Sequence, residues 1–296
     1  MSGELFGRNY NLTIKSSGGS EDLTFSPPMQ ITFGIEGIPN NHDALGRITI
    51  YGVSQETRSR IYREYDSITL SAGYNDDIGV IFHGQINNFE TGRDGVNTYI
   101  RFYCRALFRN RENAFISKSW GENTPVLEMI SDTAETLGLS LEIIGDFSDL
   151  PLAIKGKTRC VNSKDFLIEL SGNYDFSHYF DGSKLVITRH GASRSHVIHE
   201  ISQNNGMEGI PRFYLQSLEV DVKLNHLIKP ADEIKIYRAH DQFNFSDMYN
   251  TPYRELISKG QFTVLSISHN GDFYHDEWKT TTKSFLQTGG VASGEQ

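Results

Sequence analysis

The sequence predicts a mainly β chain of the α+β class, in which a helix-bearing segment separates two strand-rich regions. Three observations predict it. Apolar and polar residues alternate with period two through much of the first third. Two segments in the middle carry apolar residues at helical spacing. Period-two alternation then returns in the last third.

In the first third, Arg47–Tyr51 alternates with Ile48 and Ile50 on one face, and Ser67–Tyr74 alternates likewise. Ile78–Thr91 is a longer extended run. Gly79 and Gly84 are its expected bulge points, because glycine tolerates the irregular backbone of a bulge. Along Val96–Leu107, Ile100, Phe102, Cys104 and Ala106 share one face, and Tyr99, Arg101, Tyr103 and Arg105 share the other. Gly92–Gly95 is the expected hairpin loop between these last two runs. Ser54–Tyr65 breaks the alternation and reads as a short polar helix. Strands at this spacing suggest a small antiparallel barrel or sandwich.

In the middle, Thr124 is the expected N-cap and Pro125 the first helical residue. Val126, Leu127, Ile130, Ala134 and Leu137 then fall on one helical face, and Gly138 ends the helix. A strand is expected over Leu139–Ile144 and a second helix over Ser163–Gly172, with Phe166, Leu167 and Leu170 apolar. Strands at Phe176–Phe180 and Lys184–Thr188 follow, joined by Asp181-Gly182. The repeated order of helix then strand hints at a degenerate duplication. Ile201–Pro211 reads as a linker.

In the last third, Leu218, Val220, Val222 and Leu224 oppose Glu219, Asp221 and Lys223. Glu233–Arg238, Gln261–His269 and Glu277–Leu286 read as further strands. The polar loop Ala239–Ser258 is long, and loops of that length usually carry function. Its aromatic residues Phe243, Phe245, Tyr249 and Tyr253, with Tyr237 beside it, are the candidate partner interface, since aromatics are enriched in interface cores. The alternative is a loop folded onto its own strands.

A length of 296 residues suggests about two domains, or one with an inserted module. No run of apolar residues is long enough for a membrane helix. The start lacks a basic then apolar leader, so folding in the cytoplasm is expected. Net charge is −9, against the basic face a nucleic-acid reader needs. Two cysteines, Cys104 and Cys160, are too few for a disulfide framework, and Cys104 reads as core.

The motifs of phosphate-binding loops, dinucleotide folds, serine hydrolases and zinc proteases are absent. His190, His196 and His199 cluster, but His196 and His199 would lie on opposite faces of a strand, so no metal site is expected. The His-Asp pairs at 42–43, 240–241 and 275–276 fall in loops or strand edges. Tyr99, Arg101, Tyr103 and Arg105 could stack single-stranded nucleic acid. The net acidity favours a cross-strand ladder instead. No carboxylate pair stands out for glycoside hydrolysis, and neither a catalytic residue nor a cofactor is expected.

The ordered set of segments resembles the hub proteins of contractile phage tails, the group that includes late control protein D and the amino-terminal part of type VI secretion spike proteins. Leu45–Arg58, Ser71–Tyr74 and Ile81–Ile86 look like the first barrel of that family. Thr124–Ile130, Ser163–Leu170 and Phe180–Ile187 match its inserted domain. Val264–Asp272 with Trp278–Thr281 look like its closing strands. The resemblance implies two similar β-barrel (tail-tube-like) domains, at 1–115 and 206–288, with a smaller α/β domain at 116–205 inserted between them and a flexible tail at 289–296.

It further implies a homotrimer that forms a pseudo-sixfold baseplate ring in the virion. Its expected neighbours are the tail tube protein, the central spike protein, the tape measure protein and other baseplate proteins. Neither sequence-specific nucleic-acid binding nor membrane insertion is implied. No spike extension is visible, so a separate chain would supply the spike. An acidic bore that repels DNA would suit the net charge. The rival readings are a virion-associated peptidoglycan-degrading enzyme, a carbohydrate-binding module, and the hub of a phage-derived injection or type VI secretion machine.

Overall fold

The computed structural model describes residues 6–37, 44–106, 113–181, 184–189, 191–194, 198–214, 217–237, 244–245 and 261–286. The fold is mainly β, as expected. A first strand set comprises β1 (Arg8–Lys15), β2 (Leu23–Phe25), β3 (Ile31–Gly37), β4 (Leu45–Tyr51), β5 (Ser67–Tyr74), β6 (Asp77–Asp94) and β7 (Asn97–Arg105). Helix α1 (Gln55–Glu64) connects β4 to β5. It starts where Ser54 Oγ accepts from the Thr57 N–H, which satisfies one of the donors a helix start leaves unpaired.

This set curls around one core. Tyr10, Leu12 and Ile14 of β1 meet Ile48 and Ile50 of β4, Ile68 and Leu70 of β5, and Ile100, Phe102 and Cys104 of β7. Burying each large aliphatic or aromatic side chain stabilises by about 1.5–3 kcal/mol. β1–β3 lie outside the expected strands, although Tyr10, Leu12 and Ile14 alternate as cleanly as the later runs.

The middle segment has its own core. Strands β8 (Phe115–Trp120) and β10 (Lys157–Asn162) form an antiparallel pair. β9 (Ser140–Ile144), β11 (Phe176–Asp181) and β12 (Lys184–Arg189) form a second sheet in the order β11-β12-β9. Helices α2 (Val126–Thr136) and α3 (Ser163–Tyr174) bury Met129, Ile130, Phe166, Leu167 and Leu170.

The second strand set comprises β13 (Ile198–Ile201), β14 (Met207–Tyr214), β15 (Ser217–Lys223), β16 (Glu233–Ile236), β17 (Asn244–Phe245), β18 (Gln261–Asp272) and β19 (Trp278–Leu286). Among the described residues both sets belong to one 14-stranded sheet, whose main path runs β17-β14-β15-β19-β18-β3-β4-β7-β6-β5-β1-β2. Within it, β3-β4-β7-β6 and β14-β15-β19-β18 have the same order: first, second, fourth and third strand along the chain.

Several local expectations are corrected. The β6 bulges fall at Ile81 and Asn87, where the registers slip, and not at Gly79 or Gly84. Those glycines instead allow close approach. A Cβ at Gly79 would sit 2.0 Å from the His226 ring, and one at Gly84 2.6 Å from the Arg105 carbonyl oxygen. The hairpin loop between β6 and β7 is tighter than Gly92–Gly95, because Asp94 still pairs with Asn97. Pro125, not Thr124, is the α2 N-cap. The Thr124 hydroxyl donates to Gly121 O at 3.0 Å, so it is not spent on the helix. Met207–Pro211 is strand, not linker, and its register with β15 breaks between Glu208 and Arg212. The two helix–strand repeats are not equivalent. β9 runs parallel to β12 and β11 antiparallel to it.

Candidate assembly surfaces

The two strand sets meet edge to edge at β18 and β3, in an antiparallel seam from Ile267↔Gly37 to Asp272↔Thr32. His269 pairs with Ile35 there and is buried. Its Nδ1 lies 2.8 Å from the Thr280 hydroxyl. Burial, and secondarily the neighbouring His226, pushes the imidazole pKa down to about 4. Trp278 of β19 reaches past the seam into the core of the first set.

The middle segment docks beside this seam. Tyr179 and Asp181 border the same cleft of about 160 Å³ as Ile35, Phe82 and His269. Lys229 crosses to Asp181 at 2.6 Å. Arg194 is a latch. It reaches Glu142 at 3.0 Å and Asp232 at 3.3 Å, and donates to the Tyr179 hydroxyl at 2.9 Å. Asp232 is buried and also accepts from the Lys229 N–H at 2.8 Å, with His199 Nε2 3.0 Å away. A buried carboxylate needs this many partners to offset its lost hydration.

β6 and β18 are counterparts. Each pairs early with one neighbour, β5 or β16, then bulges, then runs on. Past its bulge β18 is covered by β3. Past its own bulge, the outer edge of β6 over Asn88–Asp94 pairs with no strand among the described residues. In the second set the counterpart of β3 is β14, whose outer edge is covered, among the described residues, at Arg212 and Phe213 by β17. Unpaired edges present backbone donors and acceptors to another strand. Beside the β6 edge lies a groove of about 490 Å³, lined by Gln55, Arg58, Tyr62 and Arg63 of α1 with Phe89 and Thr91. Tyr62 is 70% exposed, and its ring meets Phe89 edge-on at 5.3 Å.

The side of this sheet away from the cores is polar across both sets. Register places Asp221, Thr281, Ser268 and Glu36 in one row, and Thr49, Arg101 and Glu90 in another. Arg212 bonds Glu219 at 2.6 Å and Asp221 at 3.1 Å. Lys279 lies 3.7 Å from Asp221 and Lys283 4.0 Å from Glu219. In the first set Arg101 pairs with Glu90 and donates to Thr49 Oγ1 at 3.1 Å, while the Tyr103 hydroxyl donates to Glu90 at 3.2 Å. Burial works to raise the Asp221 carboxyl. The Thr281 hydroxyl, Arg212 and Lys279 outweigh it, so the group titrates below the usual carboxylate range.

The alternation at Tyr99–Arg105 is therefore a cross-strand ladder. Tyr237 is exposed, donates to Glu200 at 2.7 Å and carries Lys235 Nζ 4.9 Å above its ring. Phe243, Tyr249 and Tyr253 lie outside the described residues, as do His190, His196 and the pairs at 42–43 and 240–241. Only the backbone of Phe245 is described, in β17 beside Phe213. His199 bonds Asp232, and His275 Nδ1 lies 2.9 Å from Asp272. The seam, the open edges and the Arg194 latch were missed, because each depends on pairing between distant segments.

A family model described as "Baseplate hub gp41" matches residues 12–238. Among curated proteins, none matches the sequence significantly. Among solved structures, the chain is similar to the 43 kDa tail protein of prophage MuSo2 from Shewanella oneidensis, with a TM-score of 0.62 and 9% identity over 94% of this chain and 97% of that one. It is similar to the E. coli c3393 protein, described as a type VI secretion component resembling T4 tail proteins gp27 and gp5, with a TM-score of 0.58 and 9% identity over 93% and 76%. A tail protein from Neisseria meningitidis MC58 has a TM-score of 0.58 and 9% identity over 95% and 97%. At such identities the likeness is one of fold.

Proposed function

Because the chain belongs to the baseplate hub gp41 family, a structural family and not an enzyme family, we propose that three copies close into a ring joining a sixfold tail tube to a threefold spike. The structural role in a phage tail baseplate is the family's own. The trimer, the ring and its channel are the proposed part.

The observation that carries this reading is the joint between β3 and β18. It links the first strand of one set to the third strand of a set with the same order, head to tail. Repeating that joint would lay β14 of one copy along the Asn88–Asp94 edge of β6 in the next. Head-to-tail contacts close into rings when their rotation divides a full turn. Three copies would then present six similar strand sets, matching a sixfold tube on one side and a threefold spike on the other. Among the described residues β17 occupies two rungs of the β14 edge, and closure would displace it.

The middle segment packs on the core side of the sheet, through the cleft that Ile35 and His269 line. That leaves the polar face to line a channel for DNA. This face mixes both charge signs, which fits poorly with an acidic bore. Tyr237 and the aromatic residues after it are proposed to meet tube or spike protein, with the tape measure and other baseplate proteins as further neighbours.

Light scattering with electron microscopy tests the ring. Wild type should form trimeric rings, and Tyr62→Asp, in the groove beside the open β6 edge, should yield monomers that melt like wild type. A wild type that stays monomeric at all concentrations would sink the reading.

A further inference from the structure

Duplex DNA binds proteins through Lys and Arg that stand uncompensated, each releasing a condensed counterion when it meets a phosphate. The polar sheet face carries Arg47, Arg101 and Arg105 in the first set and Arg212, Lys223, Lys279 and Lys283 in the second. By residue type alone it could grip a duplex. Yet Arg101, Arg212, Lys279 and Lys283 each have a carboxylate partner on a neighbouring strand. Glu90 holds Arg101 and also accepts from Tyr103. Glu219 takes two donors of Arg212, Nε at 3.0 Å and Nη2 at 2.6 Å, and has Lys283 beside it. Asp221 holds Arg212, Lys279 and the Thr281 hydroxyl, the last at 2.7 Å.

We propose that Glu90, Glu219 and Asp221 are charge latches, which occupy these four cations and so weaken the hold of the face on duplex DNA that crosses it. Moving Arg212 from its carboxylates to a phosphate would exchange one pairing for another and strand two acids against a polyanion. Less counterion release is then left to drive binding. The mechanism differs from an acidic lining, because it works by occupying cations and not by net repulsion. Thr49↔Arg101 and Asp221↔Thr281 sit at matching rungs of the two sets, between the first-set pair β4 and β7 and the second-set pair β15 and β19. The two clusters therefore recur at equivalent places on the sheet. The biological setting rests on the channel reading above, whereas the latch is a property of one chain.

The test is fluorescence anisotropy of a short labelled DNA duplex titrated with full-length protein at several salt concentrations. Wild type should bind the duplex much more weakly than the latch variants at physiological salt. Glu90→Gln, and separately Glu219→Gln with Asp221→Asn, should bind the duplex, with an affinity that falls with salt by a log–log slope of about −0.9 per freed cation. Adding Arg212→Gln to the second variant should remove part of its gain. The two clusters are separate, so misfolding of one variant leaves the other to decide.

Wild type binding as tightly as the variants would overturn the proposal. So would folded variants that fail to bind. Sizing the same samples separates the two readings. Rings without a gain in DNA binding sink the latch alone, and a gain without rings sinks the ring alone.

Discussion

The indole N–H of Trp278 donates to the carbonyl oxygen of Gly73 at 3.2 Å, across 205 residues of chain. The ring stands edge-on to Phe33, with centroids 5.2 Å apart, and is almost fully buried. A residue of the second strand set thus completes the core of the first. Gly271 makes room for it. A Cβ there would lie 2.3 Å from the Phe33 ring and 2.9 Å from Trp278.

Trp278→Ala should cost about 3–5 kcal/mol, the range for removing a large buried aromatic. Urea denaturation will show the midpoint falling without a large change in slope. A loss below about 1 kcal/mol would mean the two sets do not share this core.

Acid should loosen the seam through His269. Its folded pKa of about 4 lies below the ordinary value of 6.5. Its contribution is therefore complete above pH 6.5 and is lost as pH falls toward 4. The span corresponds to roughly 3 kcal/mol at about 1.4 kcal/mol per pH unit. Melting temperature followed from neutral pH down to the folded pKa should drop for wild type and flatten for His269→Gln. Parallel curves for the two proteins would count against His269 as the titrating group.

Removing the carboxylate of Asp232 leaves Arg194 and His199 without their shared partner at the docking site of the middle segment. Asp232→Ala should cost about 3–5 kcal/mol, as expected when one member of a buried pair is deleted. Limited proteolysis should cut faster near Arg194. Asp232→Asn keeps an acceptor for the Lys229 N–H and should lose less. Equal losses in the two variants would argue that charge matters and the acceptor does not.

Gly79→Val should push the His226 loop off the β5–β6 hairpin, since a Cβ already falls 2.0 Å from that ring. Overpacking of this kind costs about 1–3 kcal/mol. Hydrogen exchange should rise over residues 225–230. Unchanged protection would show that His226 swings aside at no cost.

Much of the fold was legible because strand faces follow a local rule. Ile48 and Ile50, Ile100 to Ala106, and Leu218 to Leu224 alternate, and each named set is buried as the alternation implies. Helix α1 was legible from the break in alternation over Ser54–Tyr65, and the end of α2 from Gly138, which takes φ +68°. The candidate surfaces were not legible. Nothing local to Asn88–Asp94 distinguishes an open edge from a covered one, because its hydrogen bonds depend on which strand lies alongside. The bulges were misplaced for the same reason. A bulge belongs to a pair of strands, and glycines are also required wherever two segments approach closely.

By itself the sequence determined the strand-rich ends, the helical middle and the inward faces of the main strands, all set by side-chain period and capping chemistry within a few residues. The ordered segments also pointed to the hub family. Only the tertiary structure decided that β3 and β18 join two sets of like strand order, that Trp278 serves the core opposite, and that Arg101 and Arg212 are held by acids on neighbouring strands. Those facts depend on register between segments up to two hundred residues apart. Register is chosen by the packing of the whole sheet, which no local pattern encodes.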